Sequence, residues 1–338
     1  MPLSRRLPKS VTTITPQRIS FVGGGSDLPA FYEHYEGGVI SSAINQYVYV
    51  TVKRHSALFQ EQYRLSYSKT EHTSSIDDIE NSIARECIRL VPVEPPLYIA
   101  TAADLPASSG LGSSSSFAVG LLHALHLLRG ERVSAAQLAE EACEVEIKLL
   151  GNPIGKQDQY AAAFGGLNHI KFKSSGRVEI DPIYVRGNLM ENLFENSLLI
   201  WTGVQREASG VLSKQSKTVP DKFEQYRSLV ESCELCKSLI IDSTSDFLRE
   251  FGVLLEKNWI TKKGLEDSIS SSPIDDIHDR LKSLGSYGGK LSGAGGGGFL
   301  FELIPHENHQ AVFELFGPSM VLKVEHEPLG SRILCEVQ

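Results

Sequence analysis

The chain has 338 residues, with 33 Lys and Arg against 41 Asp and Glu and a formal net charge of -8. That balance argues against nucleic acid or an anionic membrane as the main partner. A hydrophobic fraction of 41 % with 22 % charge is that of an ordinary globular protein, and the length suits two lobes better than one core. No apolar run approaches the ~20 residues of a membrane span; the longest, Leu121 to Leu128, is broken by His123 and His126. Arg5, Arg6 and Lys9 are followed by no apolar signal segment. Five cysteines, at 87, 143, 233, 236 and 335, form no disulfide framework. The cytoplasm is the expected compartment, and oligomeric state is left open.

In chain order, Ile19 to Val22 reads as the first strand. It lies in TPQRISFVGGGSDLP (15–29), where three glycines and Asp27 follow a strand that carries Arg18. A turn explains the glycines and the aspartate; it does not explain the arginine. Tyr47 to Val52 predicts a strand with Val48, Val50 and Val52 on one face, and Leu97 to Ala100 a third.

The segment PASSGLGSSSSFAVGLL (106–122) carries the strongest chemical signal. A Gly and Ser loop runs into a helix over about Ser113 to Leu128, with Phe117, Leu121, Leu125 and Leu128 at core-facing spacing. The free amides of the first turn and the positive helix end then face the loop and form an anion site. Gly110 and Gly112 let phosphate oxygens approach the backbone, and Ser113 to Ser116 supply hydroxyls for phosphate or metal.

A second helix opens at Ser134, with Gln137 placed to reach back in a capping box, and carries Leu138, Ala142, Val145 and Leu149 on one stripe until Gly151 and Pro153 end it. GNPIGKQ (151–157) and GSYGGKL (285–291) resemble a Walker loop but have three residues between the glycines and no Ser or Thr after Lys. A dinucleotide-binding reading fails too, because Gly110 and Gly112 are not followed by a second strand.

A lobe boundary is predicted in Tyr184 to Asn196, dividing the chain into 1–190 and 191–338. Beyond it come a strand (Ser197 to Thr202), helices between about 207 and 284, a glycine tract, strand Phe299 to Ile304, a short helix and two strands near 320 to 337. This is an α+β arrangement of helices on a small, mostly antiparallel sheet. Cys233 and Cys236 form a CxxC without a second ligand pair and read as helix-surface residues. The tract GGKLSGAGGGGFLFELI (288–304) holds Lys290 and runs straight into a strand, which suits a backbone turn over a ligand better than a flexible linker.

These three motifs, in this order, resemble those of the GHMP kinases, and the similarity spans nearly the whole chain. The match is most similar to the heptose 7-phosphate kinases, with fucokinase domains sharing a looser first motif. The resemblance implies an α+β, two-lobed GHMP kinase fold: a ribosomal protein S5 domain 2-like N-terminal ATP-binding lobe and a ferredoxin-like C-terminal lobe. It implies ATP-dependent phosphorylation of the anomeric C1 hydroxyl of D-glycero-D-manno-heptose 7-phosphate, with ATP and Mg2+ as cofactors. The alternatives are a kinase for another sugar such as L-fucose, or a nucleotide-binding protein without catalysis.

By that resemblance, Pro106, Ser108, Ser109, Gly110, Leu111, Gly112, Ser113, Ser114 and Ser115 would cradle the ATP phosphates. Ser114 and Glu146 would hold the metal; Glu146 stands twelve residues before Asp158 and flanks the buried helix stripe. Asp158 would take the proton of the attacking hydroxyl, with Arg18 beside it. Gly24, Gly25, Ser26 and Asp27 would meet the sugar, and Lys290, Gly293, Gly295 and Gly296 would close over it. Where galactokinase has a Glu-His pair, this chain has Gly24 and Gly25, which leaves room for a larger, anionic sugar. Arg206, Lys262 and Lys263 are candidates for its remote phosphate.

Overall fold

The computed structural model describes residues 7–56, 58–205 and 208–338. The strands, in chain order, are β1 (Ser10–Val22), β2 (Gly37–Arg54), β3 (Tyr63–Ser66), β4 (Thr70–Thr73), β5 (Leu97–Ala103), β6 (Leu167–Phe172), β7 (Val178–Pro182), β8 (Ser197–Trp201), β9 (Gly288–Leu291), β10 (Phe299–Leu303), β11 (Val321–Leu322) and β12 (Arg332–Val337). The helices are α1 (Pro29–Tyr32), α2 (Ser82–Leu90), α3 (Ser113–Leu128), α4 (Ala135–Cys143), α5 (Gln157–Phe164), α6 (Leu189–Glu195), α7 (Ala208–Thr218), α8 (Phe223–Asp242), α9 (Phe247–Lys263), α10 (Ser272–Ser283) and α11 (His309–Phe316).

An eight-stranded sheet runs in the order β12-β1-β2-β5-β3-β4, with β6 on β2 and β7 on β6. Pro16 cannot donate to the ladder, and the register slips there: Pro16 faces Tyr47 but Gln17 faces Ile44. The predicted valines 48, 50 and 52 do share a face; they pack with Leu121, Leu125, Leu138 and Ala142 in the core beneath α2 to α5.

The second sheet, β11-β8-β10-β9, is antiparallel and buried on both faces. On one side Leu199 and Phe301 join Ile19, Phe21 and Ile40 of the first sheet and Phe251 of α9. On the other, Leu198, Ile200 and Leu300 meet Trp259, Ile274, Leu281 and Val312. That is why β8 reads as the unbroken run SLLIW without alternation. Phe21 and Phe251 meet edge to face at 5.2 Å, and truncating such a fully buried aromatic costs about 3–5 kcal/mol. The two lobes therefore share a core, and the cleft that concerns function opens along this seam.

Four expectations are corrected here. Cys233 and Cys236 are fully buried in the shared core rather than on a helix surface. Ser134 does cap α4 by accepting from the Gln137 backbone N–H, but the Gln137 side chain donates to Glu141 and does not reach back. The predicted apolar stripe fails at its end because α4 gives way to a π-helix over Glu144–Leu149. The wider turn changes the facing, so Glu146 is fully buried while Leu149 is 48 % exposed. Lastly, the final strand does not join the second sheet: β12 pairs antiparallel with β1, so the chain ends in the first lobe. The segment read as a boundary contains α6.

Candidate active site

Burial, glycine and charge converge on one cleft of about 360 Å³ between the lobes. Its wall on one side is the loop before α3. Gly110 and Gly112 have φ of +82° and +81°, a region open to glycine at little cost, and Gly112 is the N-cap of α3 with no side-chain cap bond. The first-turn amides are thus not capped by a side chain, as an anion site requires. Ser108, in the same loop, is a non-glycine residue at φ +59°, the kind of backbone strain that collects at ligand-binding turns. The glycine tract packs against this loop: a Cβ on Gly110 would lie 2.7 Å from the Ser292 carbonyl oxygen, and one on Gly293 2.6 Å from that of Gly110.

The floor is an ion pair. Arg18 of β1 donates from Nε to Asp158 Oδ1 at 2.8 Å, with Nη2 2.7 Å from the same oxygen, and Nη1 donates to the Gly110 carbonyl at 2.7 Å. One guanidinium thereby ties the first turn of α5 to the phosphate loop. A Cβ on Gly112 would be 3.4 Å from Asp158 Cγ, so the carboxylate lies directly beside the mouth of α3.

Asp27 is buried close by, accepting from the backbone N–H of Gln157 at 3.2 Å and of Gly25 at 3.3 Å. Burial, and then the charge of Asp158, push its pKa up against the pull of the backbone amides of Gln157 and of Asp27 itself and of the charge of Lys262. Gly155 makes the arrangement possible, since a Cβ there would fall 1.9 Å from Asp27 Oδ2. The glycine of the false Walker motif is therefore a contact surface for Asp27.

Glu146 does not line the cleft. The π-helix turns it inward, where it accepts from Ser114 Oγ at one oxygen and from Ser115 Oγ and Gln159 Nε2, each at 2.7 Å, at the other. Its pKa is raised, chiefly by burial, with the hydroxyls and amide opposing. A fully buried carboxylate whose described partners are all neutral fits a hard cation, and Ser114, which does line the cleft, is the link to it. Among the described residues no group of three or more His, Cys, Asp or Glu is arranged for a metal.

Of the expected residues, Arg18, Gly25, Asp27, Ser108, Gly110, Gly112, Ser113, Ser114, Ser115, Asp158, Gly293 and Gly295 line the cleft together. Pro106 is exposed at the loop entrance, Leu111 is in the core, and Ser109 is buried beneath the loop. Ser26 is occupied with the Gly23 and Gly38 carbonyls, and the Gly296 N–H donates to Ile269. Gly24 lies beneath the surface, beside Lys262. Lys290, expected to close over the ligands, is instead fully buried with its Nζ 3.5 Å from Ser20 Oγ. It belongs to β9, whose side chains point into packed layers; burial, with Lys262 and Arg18, holds its pKa well below the usual lysine range. Lys263 pairs with Asp275 at 3.0 Å and is no part of the cleft; Arg206 lies outside the described residues. Asn152 lines the cleft too, inside GNPIGKQ but given no task, and Leu212 and Gln215 of α7 lay outside every motif. Gln215 is buried with its Oε1 lacking a described hydrogen-bond partner, while Nε2 donates to Ala294. Only a helix position, with no motif around it, marked it in the sequence.

A helix N-terminus open for phosphate, a paired carboxylate beside it and a buried second carboxylate together suit phosphoryl transfer to a hydroxyl. Residues 79–166 match the family described as GHMP kinases N terminal domain, and residues 243–315 the GHMP kinases C terminal family. The D-glycero-alpha-D-manno-heptose 7-phosphate kinase of Campylobacter jejuni is 30 % identical over 87 % of this chain and 89 % of its own. The chain belongs to the GHMP kinases and is an ATP-dependent sugar kinase. The bifunctional fucokinase/GDP-fucose pyrophosphorylase of Arabidopsis thaliana is 27 % identical over 86 % of this chain but only 30 % of its own length. In fold, a D-glycero-D-manno-heptose 1-phosphate kinase from Bacteroides thetaiotaomicron superposes with a TM-score of 0.78 over 96 % of this chain and 99 % of its own, at 24 % identity. No helix among the described residues is long and apolar enough to cross a membrane.

Proposed function

We propose that the protein transfers the γ-phosphoryl group of ATP to the anomeric C1 hydroxyl of D-glycero-D-manno-heptose 7-phosphate, giving the 1,7-bisphosphate and ADP, and that it works in the cytoplasm, where its five free thiols persist. The observation that carries the transfer is the Arg18–Asp158 pair set beside the N-terminus of α3. Phosphate oxygens would lie on the amides of the 110–115 loop, which brings the γ-phosphorus close to Asp158. Asp158 would take the proton as the sugar oxygen bonds to phosphorus and the bond to the bridging oxygen of ADP breaks. Such assistance is typically worth ~10² to 10⁴-fold, the rest coming from positioning and electrostatics. Arg18 would orient Asp158 and offset charge on the phosphoryl group. Asp27 and Gln215 Oε1 are acceptors for sugar hydroxyls. Ser114 and Glu146 would hold magnesium, which would supply positive charge to offset the negative charge developing on the phosphates.

The choice of sugar is supported by the similarity to the heptose 7-phosphate kinase of Campylobacter jejuni and by the bare backbone at Gly25, which lines the cleft. A phosphate held by buried cations forms strong charge-assisted bonds, and losing it costs several kcal/mol, hence a hundredfold or more in kcat/KM at ~1.4 kcal/mol per decade. The test is kcat/KM on a panel of heptose 7-phosphate, heptose, galactose and L-fucose. Heptose 7-phosphate should lead by that factor; equal values for heptose and its 7-phosphate would refute the reading, and a preference for L-fucose would select the second one, which the fucokinase similarity favours.

A further inference from the structure

Lys262 has no task in the transfer just described, yet it lines the same cleft as Arg18, Asp27 and Asp158. It stands in the last turn of α9 and is buried. Its Nζ donates to the Gly293 carbonyl at 2.6 Å, a neutral acceptor. An ammonium has three N–H donors, so two remain for what enters the cleft. Gly24 lies next to it, where a Cβ would come within 3.6 Å of this Nζ, an ordinary contact. Burial of an ammonium without a carboxylate partner is unfavourable, and the arrangement makes sense where an anion arrives.

Two anions could arrive, the transferring phosphoryl group or the remote phosphate of the sugar, and the neighbours of Lys262 decide between them. Gly293, which holds Lys262, packs on the Gly110 carbonyl; that carbonyl accepts from Arg18, and Arg18 holds Asp158. Lys262 is thus joined by consecutive contacts to the phosphate loop and the base. In a heptose 7-phosphate that reacts at C1, the remote phosphate is at the opposite end of the molecule. We propose that Lys262 is a catalytic residue that reaches from the second lobe to contact the phosphoryl group in transfer, opposite Arg18. The proposal rests on the kinase class and on Asp158 as base, and not on which sugar is used.

The charges facing Lys262 are Arg18 of β1, Asp27 of the turn before α1, Asp158 of α5 and, behind it, Lys290 of β9. Burial first, then Arg18, bring its pKa down to about 8, with Asp27 and Asp158 opposing. Lys262→Met removes the charge at similar length and spares the cost of a buried ammonium, so the fold should hold, as a melting curve will verify. On the fastest sugar of the panel its kcat should fall ~10² to 10³-fold, the effect of losing one donor to transition-state charge. ATP binding should change by less than about threefold, and the loss should be equal for phosphorylated and unphosphorylated sugars. Wild-type kcat should decline as pH rises through about 8, and the Met variant should lack that limb. Lys262→Gln keeps a donor for Gly293 and should stay impaired; its recovery to near wild-type kcat would overturn the proposal by making Lys262 a tether. A rise in KM for the sugar phosphate alone, with kcat intact, would overturn it in favour of the remote phosphate. Failure of heptose 7-phosphate with turnover of another sugar would strike the proposed substrate only.

Discussion

Replacing Gly155 by Ala should damage acceptor chemistry and leave nucleotide binding alone. The added Cβ would stand 1.9 Å from Asp27 Oδ2 and 2.2 Å from its Cγ, whereas ordinary contact begins at 3.4 Å, so something must retreat by about 1.5 Å. Asp27 has little freedom, because Oδ2 accepts from Gln157 N–H and Oδ1 from Gly25 N–H. If Asp27 moves, the sugar loses its acceptor; if the 152–157 loop moves, it carries the first turn of α5, and so Asp158, with it. Either displacement exceeds the ~1 Å that can cost ~10²-fold in rate. The expectation is a loss of about 10²-fold or more in kcat/KM for the sugar, with overpacking costing about 1–3 kcal/mol of stability. The phosphate loop belongs to a different segment, so ATP affinity, measured by calorimetry without sugar, should shift by less than about threefold. A kcat/KM within about threefold of the parent, or a parallel collapse of ATP affinity, would show that Gly155 does not position Asp27 and Asp158 for the acceptor.

Asp158→Asn preserves size and removes the base; turnover should drop by at least ~10²-fold with ATP affinity nearly unchanged, and a loss under tenfold would count against Asp158. Glu146→Gln should raise the magnesium concentration needed for half-maximal rate, whereas an unaltered titration with reduced activity would make Glu146 structural. His278 bridges Glu302 Oε1 at 2.6 Å and Glu256 Oε2 at 2.9 Å. Burial lowers its pKa, but the hydrogen bonds and charges of the two glutamates overcome this and raise it to about 10. A raised folded pKa gives stability that is complete below the unfolded value of ~6.5 and disappears as pH climbs to about 10; the melting temperature should fall across that window. His278→Ala, by leaving Glu302 buried without a cation and with only Ser286 Oγ donating to it at 2.7 Å, should cost about 3–5 kcal/mol and flatten the trend; an undiminished slope in the variant would contradict the assignment.

What could be read from the sequence was local. The loop at 106–112 and helix α3 follow from glycine, serine and a 3.6-residue apolar period within one stretch, and the structure begins and ends that helix at the predicted Ser113 and Leu128. Asp27, Arg18 and Asp158 came from motifs and lie together in the cleft. What failed depended on partners distant in the chain. An apolar period cannot show that α4 widens into a π-turn, so Leu149 was placed inside and its exposure missed. Lys290 and Lys262 look alike as lysines near glycine; only the packing of β9 between two layers buries the first, and only the end of α9 delivers the second to the cleft. The return of β12 to β1 spans more than 300 residues of sequence, and no pattern within RILCEV names its partner.

In the proposed reaction, phosphate is added to the anomeric oxygen of an already phosphorylated heptose. The most direct measurement is 31P and 1H NMR of the product formed from ATP, magnesium and D-glycero-D-manno-heptose 7-phosphate. One ADP should be released per sugar, with two phosphomonoester signals of equal intensity, the new one coupled to the anomeric proton. A new phosphorus coupled to any other carbon-bound proton, or no new phosphoester while another sugar on the panel is phosphorylated, would contradict that reaction.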